Sequence, residues 1–229
     1  MPDLILLIIV LIMSAIMHEV SHGLAALWLG DPTAKYAGRL TLNPLSHLDP
    51  FGSFLMPLLL FFGTGGRFFF ASAKPVPYNP YNLRDQQYGP AIVGAAGPLS
   101  NIIIALVFGI FLRIFMLSGL VPTGDAITLI GNIFSGQSLL GSGLSGIGIL
   151  FITIIYINIL LAFFNLIPFP PLDGSKILFA VLPMREETKL RLERGGFIFL
   201  LIFIVIFSGP IFTLIRFIEL VFFKLILGI

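Results

Sequence analysis

Four stretches of this chain, roughly 4–29, 88–117, 146–167 and 197–223, are apolar for at least the length that a bilayer requires. A helix needs about 20 such residues to cross the hydrocarbon core. No water is present there to satisfy peptide groups, so a run of this length in lipid closes its hydrogen bonds within itself as a helix. Charge agrees with this reading. Only 10% of the residues are charged and the mean hydropathy is +1.05, whereas soluble domains carry about 25% charged residues. The expected fold class is an all-α polytopic membrane protein with about four full transmembrane helices. One membrane-embedded domain is expected over 1–229, with a core at 4–182 and a surface helix plus last span at 183–229.

The connections carry the remaining information. Phe51 to Phe62 is apolar but too short to span and contains Pro57, which predicts a re-entrant or interfacial element. Tyr36 to Leu42 alternates and is followed by Asn43-Pro44, which predicts a strand in a β-hairpin-like segment. Leu172 to Leu182 predicts a short interfacial helix, 184–194 a charged surface helix, and 119–145 a Gly- and Ser-rich connection. Lys35, Arg39, Arg67, Lys74 and Arg84 flank the first gap, and Lys176, Arg185, Lys189, Arg191 and Arg194 the second. Basic residues mark the cytoplasmic side, so both gaps are expected to face the cytoplasm and both termini the outside, provided that 51–62 enters and leaves on one face. The start of the chain has no positive n-region and no small-residue cleavage site after a short apolar core, so no signal peptide is expected. That fits a prokaryotic plasma membrane. A net charge of +2 with no cluster of basic and aromatic residues excludes nucleic acid as the partner.

With no cysteine in the chain, any metal must be held by His, Asp or Glu. The first span contains His18-Glu19-Val20-Ser21-His22. Residues 18 and 22 are one turn apart on one helix face, so their imidazoles can share a zinc ion with Glu19 beside them as base. The alternative is polar glue between helices. An ionisable group at membrane depth is expensive and usually functional, which favours chemistry. A zinc enzyme needs a third protein ligand and an open position. Asp173 is the best candidate, because it follows a span within Asn165-Leu166-Ile167-Pro168-Phe169-Pro170-Pro171-Leu172-Asp173-Gly174, where prolines and glycine break the helix. Its alternative is a helix-capping carboxylate. Asp31, Asp49 and Asp85 read as turn residues.

His-Glu-x-x-His in one span, Gly97-Pro98-Leu99-Ser100-Asn101 in the next, and Asn165 to Gly174 closing a third resemble the site-2 protease family of intramembrane zinc metalloproteases. Asn43 to Pro50 and Ala73-Lys74-Pro75-Val76-Pro77 resemble a compact prokaryotic branch of that family without PDZ or CBS domains. The resemblance implies His18, His22 and Asp173 as ligands of one zinc per chain and Glu19 as catalytic acid/base. It also implies a transmembrane or membrane-associated protein as substrate. Four residues are weighed as substrate-binding or supporting. Asn101 and Asn165 either hold substrate or the scissile carbonyl, or make interhelical hydrogen bonds; for Asn165 support of the Asp173 loop is favoured. His47 is either a substrate-loop residue or, more simply, a surface partner of Asp49. Thr41 would lie on a strand edge that captures the opened substrate. Two rival readings are a transporter or channel using His18, Glu19 and His22 as an ion path, and a non-catalytic client-binding relative. The oligomeric state is left open.

Overall fold

The computed structural model describes residues 2–47, 74–135, 145–182, 184 and 186–228. The expected re-entrant run 51–62 and Asp49 lie outside these residues. Helix α1 is Pro2–Trp28, α2 Thr33–Tyr36, α3 Gly89–Leu117, α4 Thr123–Ser135, α5 Gly146–Asn165, α6 Gly174–Val181 and α7 Glu186–Leu227. Within them, Leu4–Trp28, Gly89–Leu117 and Gly146–Asn165 are long and apolar enough to cross a membrane. The protein is an integral membrane protein. The last element contains two arms, Gly195–Phe207 and Gly209–Leu227, bent by 78°. The cause lies in the sequence: Pro210 falls inside the helix and Phe207 takes φ −107° and ψ 15°. A proline there lacks an N–H and collides with the carbonyl four residues earlier.

Helix α1 ends where a glycine lets it. Gly30 has φ +107°, and the N–H groups of Gly30 and Asp31 donate to Leu27 O and Ala26 O. This is a left-handed glycine stop. The same motif ends α2. Gly38 has φ +65°, and Gly38 and Arg39 donate to Lys35 O and Ala34 O. That stop overturns the expected strand. Residues 36–42 contain the end of α2, its glycine turn and an irregular segment, and no strand occurs among the described residues. The alternation that suggested a strand is instead a helix cap followed by an inward-turned Arg39, which is buried.

Helix α3 packs against both α1 and α5, α1 against α5, and α6 against α3. Half of α5 is buried, against 28% of α1 and 22% of α3, so α5 is the central helix. Outward residues such as Ile5, Ile9, Ile103 and Ile110 are exposed, as a lipid-facing surface requires. The main apolar core joins Ala105 and Leu112 of α3, Leu129 of α4, Ile152 and Ile155 of α5 and Phe223 of α7. The charged stretch expected as a surface helix is helical from Glu186, with Glu187, Thr188 and Arg191 exposed, and α7 continues from it through Gly195 and Gly196. Part of the Gly- and Ser-rich connection forms α4, which buries Ala126, Leu129 and Ile130.

Candidate active site

The later turns of α1 place His18 and His22 on its inner face, where both are buried. Helix α5 stops before Pro168, and the turn that follows returns Asp173 toward α1. Gly174 permits that turn, since it lies directly against the carbonyls of Leu166 and Ile167. Asp173 sits at the start of α6 without capping it. Its Oδ2 instead lies 3.0 Å from His18 Nε2 and 3.1 Å from His22 Nε2. One ligand atom from each of the three residues falls within 4.8 Å of the others. Gly97 of α3 makes the room: a Cβ there would stand 2.5 Å from His22 Nε2 and 2.6 Å from His18 Nε2.

The other ring nitrogens determine what this triangle can hold. His22 Nδ1 lies 2.6 Å from Val93 O, an atom that only accepts, so His22 carries its proton on Nδ1. His18 Nδ1 donates to Asn101 Oδ1 at 2.6 Å. Each neutral ring then turns the lone pair of Nε2 toward Asp173 Oδ2. Three acceptors that converge in a buried place repel one another unless a cation or proton lies among them. Two imidazole nitrogens and one carboxylate oxygen form a set that zinc accepts, with a position left for water or substrate. The residues therefore fit the metal.

Around this centre the charges are arranged by the loops. Lys176 Nζ bonds Asp173 Oδ1 at 2.9 Å, leaving Oδ2 for the histidines. Burial works against a charge on Asp173, and the Lys176 ammonium favours it. Glu19 is half-buried, and its Oε2 accepts the N–H of Val76 at 2.8 Å. The 74–78 segment reaches α1 at Gly23, where a Cβ would stand 2.6 Å from Leu40 and 2.9 Å from Val76. Arg39 fixes that segment by donating to Lys74 O at 2.6 Å and also to Ser46 O. Asp31 anchors the next stretch, accepting from Asn79 N at 2.7 Å and Asn82 Nδ2 at 2.9 Å. Burial opposes the charge of Asp31, yet hydrogen bonds from Thr33, Asn82 and Asn79 prevail and hold it below the ordinary value. A cavity of about 490 Å³, with Tyr78, Gln86, Gln87 and Lys176 among its lining, opens beside this region.

The family model for Peptidase family M50 matches residues 6–208. The chain belongs to peptidase family M50. It is 36% identical over 206 residues to "Putative zinc metalloprotease YwhC" of Bacillus subtilis (strain 168), covering 90% of this chain and 81% of that protein. It is 26% identical over 195 residues to "Putative zinc metalloprotease Rip2" of Mycolicibacterium smegmatis (strain ATCC 700084 / mc(2)155), covering 85% of this chain and 64% of that one. No solved structure matches.

In this M50 peptidase the expected set His18, Glu19, His22 and Asp173 lies together, and Asn101 touches it through His18. Asn165 does not reach it: its Nδ2 donates at 2.9 Å to Leu161 O in its own helix, a bond that holds α5 and not the Asp173 turn. His47 is no surface residue. It is 2% exposed and donates from Nε2 to Thr41 O at 2.8 Å, so Thr41 and His47 shape the 39–47 loop. Sequence reasoning missed Ser14, Asn158, Lys176 and Arg39. Lys176 was legible, three residues beyond Asp173 on a helix face. Val76 and Val93 act through backbone atoms, which no side-chain pattern reports.

Proposed function

We propose that this M50 peptidase is an intramembrane zinc metalloendopeptidase that hydrolyses peptide bonds of membrane-spanning or membrane-associated proteins. The observation that carries the reading is the meeting of His18, His22 and Asp173, with Glu19 on the same helix turn, inside a bundle of membrane-crossing helices. The relatives named as zinc metalloproteases support zinc as the metal. Zinc at these three ligands would supply Lewis acidity toward water and the scissile carbonyl. Glu19 accepts the proton of the attacking water and returns it to the leaving amine. The Val76 N–H on Oε2 orients that carboxylate, and Lys176 orients the carboxylate of Asp173.

The reading takes four spans, with the bent arms of α7 counted together as the last. The basic gaps then lie on the cytoplasmic side of a prokaryotic plasma membrane, and the cavity beside Lys176 lets water approach from that side. A substrate helix hides its peptide bonds in its own hydrogen-bond ladder, and each backbone group released in lipid costs several kcal/mol. Helix-breaking residues near the cut therefore speed cleavage. The decisive experiment reconstitutes the protein in vesicles with a single-span client. Wild type cleaves it and a chelator stops cleavage; if the chelated protein cleaves equally fast, the metallopeptidase reading fails.

A further inference from the structure

Two histidines hold the same metal, yet only one has its tautomer set directly. His22 bonds to a backbone carbonyl, which can only accept. His18 bonds to Asn101, an amide whose two ends are nearly the same shape. Turned round, Asn101 would present Nδ2 to His18 Nδ1, and the proton of His18 would move to Nε2, removing its lone pair from the metal. Something must keep Asn101 in one orientation.

We infer that Asn158 is a positioning residue for the metal centre, acting through Asn101 to fix the tautomer of His18. The chain of donors begins at the carbonyl of Ile154. Asn158 Nδ2 donates to Ile154 O at 2.8 Å and to Ser14 Oγ at 2.9 Å, so Asn158 Oδ1 must face the other way. That oxygen accepts from Asn101 Nδ2 at 2.7 Å, a shorter bond than the one the same group gives Ser14 O at 3.4 Å, and together they turn Asn101 Oδ1 toward His18 Nδ1. The polarity of the Ile154 carbonyl in α5 thus passes through two amides to His18 on α1, with Ser14 O as a longer second acceptor. Asn101 and Asn158 are 0% exposed and Ser14 is 5% exposed, so no water competes along the chain. Plain interhelical glue has no need of a fixed direction; a metal ligand does.

The identity of the metal rests on the zinc-peptidase reading, but the tautomer does not. The test therefore uses the full-length metal-free protein with ¹⁵N-labelled histidine rings, tractable because the chain has three histidines. Wild type shows His18 protonated at Nδ1, whether or not Nε2 also carries a proton toward Asp173 in the metal-free protein. Asn158→Leu shifts it toward the Nε2–H form and weakens zinc binding, read by chelator competition, by roughly 10–100-fold, the usual effect of losing a group that orients a metal ligand. Asn101→Asp presents acceptors only, so its orientation no longer matters. In that background Asn158→Leu changes zinc affinity within about twofold, the scatter of independent sites. If Asn158→Leu keeps the Nδ1–H form and wild-type affinity, or loses as much affinity beside Asp at 101, the inference is overturned. Should Asn158→Leu not fold, Asn158→Asp carries the test. It offers Asn101 acceptors alone and keeps His18 protonated at Nδ1; the Nε2–H form in that variant overturns the inference. A wild-type protein with the correct tautomer but no cleavage would instead count against the function.

Discussion

One methyl group at position 97 should disable the metal centre. A Cβ on Gly97 would lie 2.5 Å from His22 Nε2 and 2.6 Å from His18 Nε2, where ordinary contact begins at 3.4 Å. Either ring would have to retreat by about 0.9 Å, while metal–ligand distances tolerate about 0.2 Å. Neither ring is free to do so, because each Nδ1 is held at 2.6 Å by its own partner. At least one imidazole leaves the metal, or α3 moves off α1. The loss should exceed the roughly 10–100-fold that follows from removing a hydrogen-bond partner of a metal ligand, and 100-fold corresponds to about 2.7 kcal/mol. Alanine is the better helix former by about 1 kcal/mol, so helix propensity does not explain a failure. The assay is zinc affinity by chelator competition, with helical content as the folding check. Gly124→Ala is the control, since a Cβ there meets nothing within 4 Å. A Gly97→Ala protein that binds zinc with wild-type affinity and cleaves its client would refute the placement of both histidines.

Glu19→Gln should keep zinc and reduce cleavage by at least about 10²-fold, the low end of general-base contributions; normal turnover would remove Glu19 from the mechanism. Lys176→Met frees Asp173 Oδ1 and should weaken zinc binding about tenfold or more, while Lys176→Arg retains most of it; equal affinities in the two variants would show that the ammonium does not hold the carboxylate. Asp31 is held below its ordinary value of about 3.9, so its stabilisation is complete above that pH and fades as pH falls through the lowered value. Asp31→Asn should accordingly melt earlier than wild type at pH 7, with the gap closing in acid; a gap that stays constant with pH would sink the assignment. Leucine-rich replacement around the cut site of a client should slow cleavage and glycine or proline should speed it, measured by band conversion in vesicles.

The helices and the convergence of His18, His22 and Asp173 were legible because both follow from short-range rules. Apolar length identifies a span, and residues 18 and 22 share a face by helical geometry alone. Asp173 could be found because prolines 168, 170 and 171 end the helix just before it. The loop at 36–42 was misread because its alternation is indistinguishable from a strand until the positive φ of Gly38 is known. His47 looked like a surface residue because nothing local reveals that the loop folds over it. Asn158 sits mid-helix among Ile and Leu, and only the packing of α1, α3 and α5 brings it to Asn101. The main-chain contacts of Glu19 and His22 belong to Val76 and Val93, whose side chains carry no signal for them.

If His18, His22 and Asp173 together bind one zinc and this centre cuts peptide bonds, metal and activity must be inseparable. Metal analysis of purified protein, paired with client cleavage on the same sample, tests it most directly. Wild type should carry about one zinc per chain, with metal and cleavage lost together in His22→Ala and in Asp173→Ala. Stoichiometric zinc that survives both substitutions, or full cleavage by a protein freed of zinc, would contradict it.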